Sequence, residues 1–211
     1  MLLKSFLATL GASGAGGAVL LAVSGFSAIP REPPPLHAAI GSVSLTVPGR
    51  LIREGSPHRA TGNIELALAW PEFGPAARAA PGAPEPRQVF IGLKPSQQEP
   101  IAVSTASELY GPFFEQETWT HPSGLIVRRF RDASPFRDED MYLAPPEGRG
   151  FYARCAKTGT YLETSAEHCL WVFSYKDMVV QARFSPELLG DWEALKAKTE
   201  ELIAGIAKPQ F

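Results

Sequence analysis

The side chains in this chain that could do chemistry are few and poorly grouped. Cys155 and Cys169 are its only cysteines, with thirteen residues between them. There is no second pair and no Cys-x-x-Cys, so neither a four-ligand zinc site nor a thioredoxin-like redox pair is encoded. The reading that fits is one structural disulfide, worth about 3 kcal/mol for a loop of this length and requiring an oxidising compartment. The alternative is two unrelated buried thiols. The four histidines, His37, His58, His121 and His168, are scattered. None stands at i, i+4 from another or at a metal-ligand spacing beside a carboxylate, so no metal or cofactor is expected. His121, in Thr-His-Pro-Ser-Gly, belongs to a turn before a strand, as an exposed loop residue or, alternatively, a general base. His168 beside Cys169 could tune a thiolate only if that cysteine is reduced. Gly-x-Ser-x-Gly, Ser-x-x-Lys, Walker A and Gly-x-Gly-x-x-Gly patterns are absent from the chain, and binding is expected in place of catalysis.

The densest charged stretch is residues 128–140, where Arg128, Arg129, Arg131 and Arg137 face Asp132, Asp138, Glu139 and Asp140. Guanidinium groups recognise carboxylates and phosphates in a bidentate fashion. Together with Phe136 and Tyr142 as apolar anchors, the four arginines are candidate partner-binding residues. The competing reading is a surface ion-pair network that satisfies itself. A second aromatic group, Tyr110-Gly-Pro-Phe113-Phe114 with Trp119, is expected to be partly core and partly the wall of a groove.

The amino terminus predicts that these residues are held outside the cytoplasm. Residues 6–29 carry no charge, and Lys4 is the only charged side chain upstream. As a helix this stretch would extend roughly 36 Å, against about 30 Å of hydrocarbon. It is read as a transmembrane anchor, with residues 1–5 in the cytoplasm; a signal peptide cleaved among Ala22, Ser24, Gly25 and Ser27, or a buried soluble helix, are the alternatives. Residues 30–37 form a Pro-rich linker and residues 38–211 a periplasmic domain large enough for one core.

Within that domain, Val43, Leu45 and Val47 alternate as a first strand, and residues 64–70 alternate again through Ile64, Leu66, Leu68 and Trp70. Residues 71–86 are rich in Pro, Gly and Ala and read as an excursion loop. Strands are expected over 88–93 and 124–130, and one over 151–155 that leads to Cys155. Around Lys176-Asp177 a two-residue turn would pair Tyr175 with Met178, Phe173 with Val180, Trp171 with Ala182 and Cys169 with Phe184. That apolar face is expected inside, and Ser174, Val179, Val172, Gln181, Leu170 and Arg183 outside. After Ser185 as N-cap and Pro186, a helix carries the stripe Leu188, Trp192, Leu195, Thr199, Leu202 and Ile206, widened by Leu189 and Ile203, and Lys208-Pro209 closes it. The expected fold is therefore α+β, a mainly antiparallel sheet covered by a C-terminal amphipathic helix and preceded by an N-terminal transmembrane helix.

Net charge is −2 and the isoelectric point about 6.1, which gives no basic field for nucleic acid. The uncharged amino-terminal segment, the Pro-rich spacer, Leu-Ala-Leu-Ala-Trp-Pro, Cys-Leu-Trp-Val-Phe-Ser-Tyr and Phe-Ser-Pro-Glu-Leu-Leu-Gly-Asp-Trp together resemble uncharacterised membrane-anchored periplasmic proteins of proteobacteria. The resemblance transfers no functional residue. It implies a single pass of the inner membrane, or secretion after cleavage, and a binding or immunity-type role toward an envelope protein partner. The alternatives are an envelope hydrolase built on His121 or residues 128–140, and a structural subunit of an envelope complex.

Overall fold

The alternation at Val43, Leu45 and Val47 does form a strand, but not the first one. In the computed structural model, which describes residues 32–55, 62–76, 87–96, 106–157 and 168–209, β1 (Leu36–Ile40) precedes β2 (Val43–Val47) and pairs with it antiparallel, Leu36 opposite Val47. Leu36 and His37, expected in the linker, thus belong to the domain. Residues 32–35 lie against the turn after β2. Glu32 ion-pairs with Arg50, and the carbonyl oxygens of Pro33 and Pro34 approach Gly49 so closely that any Cβ there would collide with them. The expected anchor lies outside the described residues. Among those residues no helix is long and apolar enough to cross a membrane.

Among the described residues the main sheet has nine strands. They are β3 (Ile64–Ala69), β4 (Gly74–Pro75), β5 (Gln88–Pro95), β6 (Phe114–Thr120), β7 (Ile126–Phe130), β8 (Glu139–Leu143), β9 (Tyr152–Ala156), β10 (Cys169–Tyr175) and β11 (Met178–Phe184). Every neighbouring pair is antiparallel, in the order β4-β3-β5-β11-β10-β9-β8-β7-β6. The hairpin β10–β11 has the register that its apolar pairs dictate, from Tyr175 opposite Met178 to Cys169 opposite Phe184. Its outer face differs from expectation: Val172, Val179 and Gln181 are buried as well. The hairpin lies between β5 and β9 in the middle of the sheet, and Arg183 reaches along that face to donate to Gln181 Oε1 at 3.3 Å.

The turn of this hairpin is clamped by the turn of the first one. Ser42 N–H donates to Asp177 Oδ2 at 3.1 Å. Gly41 has φ +58°, and a Cβ on it would stand 2.6 Å from Asp177 Cβ. Both facts demand glycine. Gly41→Ala is expected to cost about 1–3 kcal/mol, combining left-handed backbone strain with overlap. Thermal melting of the full chain checks this.

After Ser185 the chain makes a 3₁₀ turn over Pro186–Asp191 before α2 (Trp192–Ile206); a first short helix, α1 (Ala106–Tyr110), lies earlier. Ser185 caps through its backbone carbonyl, which accepts from Leu188 N–H at 2.9 Å, and its hydroxyl caps nothing. Leu188, Leu189, Leu195, Thr199, Ile203 and Ile206 are buried, while Trp192 and Leu202 are only partly so. The helix ends not in a stop at Lys208-Pro209 but in β12 (Ala207–Pro209), which pairs with β2 and completes a three-stranded sheet β1-β2-β12. This small sheet and α2 close the main core over one face of β3, β5, β11, β10 and β9. A second, aromatic core of Tyr110, Phe114, Phe130, Met141, Leu143 and Tyr152 lies between α1 and strands β6 to β9. The domain thus has two hydrophobic clusters where its length suggests one.

Cys155 and Cys169 are bonded, S–S 2.06 Å, directly opposite each other on β9 and β10. Both are buried.

Candidate partner-binding site

Side chains alternate strictly along a strand, so register decides which residues share a face. Trp119 of β6 stands opposite Val127 of β7, which stands opposite Tyr142 of β8, which stands opposite Ala153 of β9. One row over, Arg129 faces Asp140, and Asp140 faces Cys155. Ala153 and Cys155 are covered by the main core. Moving outward from them the cover ends: Tyr142, Asp140 and Val127 are partly buried, and Arg129 is exposed. Trp119, at 37% exposure, is the exposed large hydrophobic side chain among the described residues. The amino end of α2 marks the limit of the cover, where Trp192 Nε1 donates to the Ser123 carbonyl at 3.3 Å and the Trp192 ring lies 5.3 Å from that of Phe151.

On this open face the Arg129 guanidinium sits 4.4 Å above the centre of the Trp119 ring. The stack, worth about 0.5–1 kcal/mol at an exposed site, holds two long side chains in one orientation. Asp140 lies 4.0 Å from Lys157. Partial burial raises its carboxyl above the ordinary range, against the attraction of Lys157 and Arg129. Tyr142 is pushed up as well, by burial first and by the Asp140 charge second.

The other candidate residues point elsewhere. Between Phe114 and Thr118 the β6–β7 register shifts, a bulge that frees carbonyl oxygens from the ladder. Arg128 Nη2 donates to the Glu115 carbonyl at 2.6 Å and Arg131 Nε to the Phe114 carbonyl at 2.8 Å. Arg128 also lies 4.9 Å over the Phe114 ring. Two of the four arginines therefore hold a bulge. Phe136 is in the aromatic core, 5.2 Å from Tyr110 and 5.2 Å from Phe130, under the Arg154 guanidinium at 4.7 Å. Arg137, in the connection between β7 and β8, pairs with its neighbour Asp138 at 3.8 Å. Of the six candidates, Arg129 and Tyr142 share the open face. Trp119 joins them, and not the aromatic core with which its sequence neighbours group; the alternation of Thr118, Trp119 and Thr120 is the signal that could have placed it.

Arg154 also pairs with Glu139 at 3.3 Å. Burial pushes the Glu139 carboxyl up, opposed by Arg154 and reinforced by Asp138. A raised folded-state value means that Glu139 supports the fold when protonated, and that this support is lost as pH climbs past the ordinary 4.5 and through the raised value. Glu139→Gln is therefore expected to gain stability relative to the parent as pH rises through that window. Melting both proteins from acid to neutral pH checks the sign.

His121 is not isolated. Its Nδ1 lies 2.7 Å from Ser123 Oγ and accepts the Ser123 backbone N–H at 3.2 Å, and its ring meets Tyr142 edge-on at 5.7 Å. With the His121 N–H bonded to the Leu125 carbonyl at 2.8 Å, these contacts staple one turn. Among the described residues no carboxylate is hydrogen-bonded or ion-paired to His121, and no three His, Cys, Asp or Glu side chains converge in a way that would hold a metal. Two depressions, one lined by residues 32–35 with Thr46, Pro48, Gly49 and Arg50, the other by Ser107, Glu108, Glu147 and Arg149, contain no histidine or cysteine.

The architecture defines a class: a broad antiparallel sheet, covered by a C-terminal helix and a small second sheet, with one end left open. No family model and no curated protein sequence matches the chain. Among solved structures it is similar to Smlt3025, an immunity protein of the Stenotrophomonas maltophilia type IV secretion system, with a TM-score of 0.55 and 16% identity over 84% of this chain and 94% of that one. At that identity the likeness is one of fold.

Proposed function

We propose that this chain is an immunity-type binding protein of the bacterial envelope, held outside the inner membrane by residues 6–29, that acts by docking on a toxic protein and not by catalysis. The observation that carries this reading is the open face of β6, β7 and β8. An exposed tryptophan locked under an arginine, rimmed by Tyr142, Asp140 and Lys157, has the composition of a binding hot spot: Trp, Tyr and Arg at the centre with charges around them. Two further observations support it. The buried Cys155–Cys169 bond suits an oxidising compartment, and the fold resembles that of an immunity protein over 84% of this chain and 94% of that one.

The test is protection. Proteins encoded beside this one are each directed to the periplasm of a test bacterium, with and without the full-length chain. At least one is expected to kill alone and to be tolerated with the chain present, and the double variant Trp119→Ala with Arg129→Glu is expected to abolish the rescue. If Ser123→Ala or His121→Ala abolishes it while the double variant does not, the hydrolase reading replaces this one.

A further inference from the structure

We infer that the outer edge of β6 is a docking edge that takes an extended, basic segment of a partner protein as a tenth strand of the main sheet. This rests on the binding role proposed above and names the chemistry of the partner.

Among the described residues β6 is the last strand of its sheet and pairs only with β7, so alternate backbone N–H and C=O groups along its outer side have no described strand beside them. Residues 116–120 are all exposed. The opposite edge of the same sheet is β4, two residues long and ending in Pro75, which is how natural sheets blunt an edge. β6 is blunted only in its first half, where the bulge turns the strand and Arg128 and Arg131 occupy the carbonyl oxygens of Glu115 and Phe114. Beyond it Thr118, Trp119 and Thr120 run in regular register with Arg128, Val127 and Ile126. That leaves roughly 10 Å of regular edge at about 3.4 Å per residue, room for three residues of an added strand.

Charge selects the occupant. β6 carries Glu115 and Glu117 and no lysine or arginine. Two copies of this strand laid edge to edge would set carboxylates against carboxylates, which disfavours self-association, whereas Lys or Arg on an incoming strand finds them as cross-strand partners. Trp119, standing on the same edge, offers its exposed ring to an apolar residue of that strand. Main-chain pairing then supplies affinity, and Glu117 and Trp119 supply selectivity.

The experiment uses the full chain in detergent micelles and two synthetic ten-residue probes: Lys-Thr-Val-Thr-Lys-Thr-Val-Thr-Lys-Thr, which sets Lys and Val alternately on one face of a strand, and the same peptide with Glu for Lys. The basic peptide is expected to bind at least tenfold more tightly than the acidic one and to slow amide exchange within residues 116–120. Glu117→Lys is expected to reverse the preference and Trp119→Ala to weaken basic-peptide binding about tenfold, with melting temperatures confirming that both variants fold. Equal binding of the two peptides, no protection within 116–120, or a concentration-dependent dimer joined through β6 overturns the inference. If Glu117→Lys leaves cellular protection at the parent level, the edge is not used but the protective role stands; if the peptides behave as expected and no toxin is neutralised, the edge stands and that role falls.

Discussion

Trp119→Ala is expected to lower the affinity of the full-length chain for its protein partner by about 30-fold or more, the effect of removing a binding hot spot worth at least ~2 kcal/mol. The same substitution is expected to cost the fold less than about 1 kcal/mol. The ring is 37% exposed, lies outside both cores and touches Arg129 on one side, so folding loses only a surface stack. This separation of a large binding loss from a small stability loss is what marks an interface residue. Phe130→Ala provides the contrast: that ring is 1% exposed and packs on Tyr110, Phe114 and Phe136. Its loss is expected to destabilise by about 3–5 kcal/mol. Titration calorimetry with the partner and thermal melting of both variants, side by side, check the two halves.

Replacing Cys155 and Cys169 together by Ser is expected to cost about 3 kcal/mol, which for a domain of this size lowers the melting temperature by roughly 6–12 °C. The loss is not expected to be uniform. β10 and β9 share only two register pairs, Cys169 with Cys155 and Leu170 with Arg154, extended by the Ala156 N–H to His168 carbonyl bond at 2.9 Å. The neighbouring seams are longer: β10–β11 has seven pairs and β8–β9 five. The disulfide thus reinforces a joint narrower than the seams on either side of it, between β10 and the run of strands β9 to β6 that ends in Trp119 and Arg129. Without it, amide exchange in β6 to β9 should accelerate before that in β3, β5, β10 and β11, and partner affinity should fall along with stability. Exchange measured strand by strand in the double-serine variant checks the order. Uniform acceleration across all strands would show that the joint is not the weak point.

What the sequence disclosed depended on how plainly each segment's polarity followed its geometry. The β10–β11 pairing is legible because four consecutive cross-strand pairs are apolar on one face, and the α2 stripe because Leu195, Thr199, Ile203 and Ile206 recur at helical steps. β6 and β8 are hidden by their composition. Phe-Glu-Gln-Glu-Thr-Trp-Thr and Glu-Asp-Met-Tyr-Leu carry charge where a strand would ordinarily be apolar, because one strand is an edge and both present an open face. β12 is obscured by continuing straight out of a helix. The candidate site was half legible: residues 128–140 do lie beside it, but composition does not tell an arginine that caps a bulge, such as Arg128 or Arg131, from one that faces solvent, such as Arg129. That distinction is set by the register of β6 against β7, which neither strand specifies by itself.

The proposed docking role places the partner on the open end of the large sheet. Hydrogen exchange of the full chain, free and bound to the partner that the protection test identifies, decides this. The expected footprint is slowed exchange in β6 and β7 with no change in α2 or in the 32–35 segment against Gly49. A footprint confined to α2 or to that segment, with β6 and β7 exchanging as in the free protein, would contradict it.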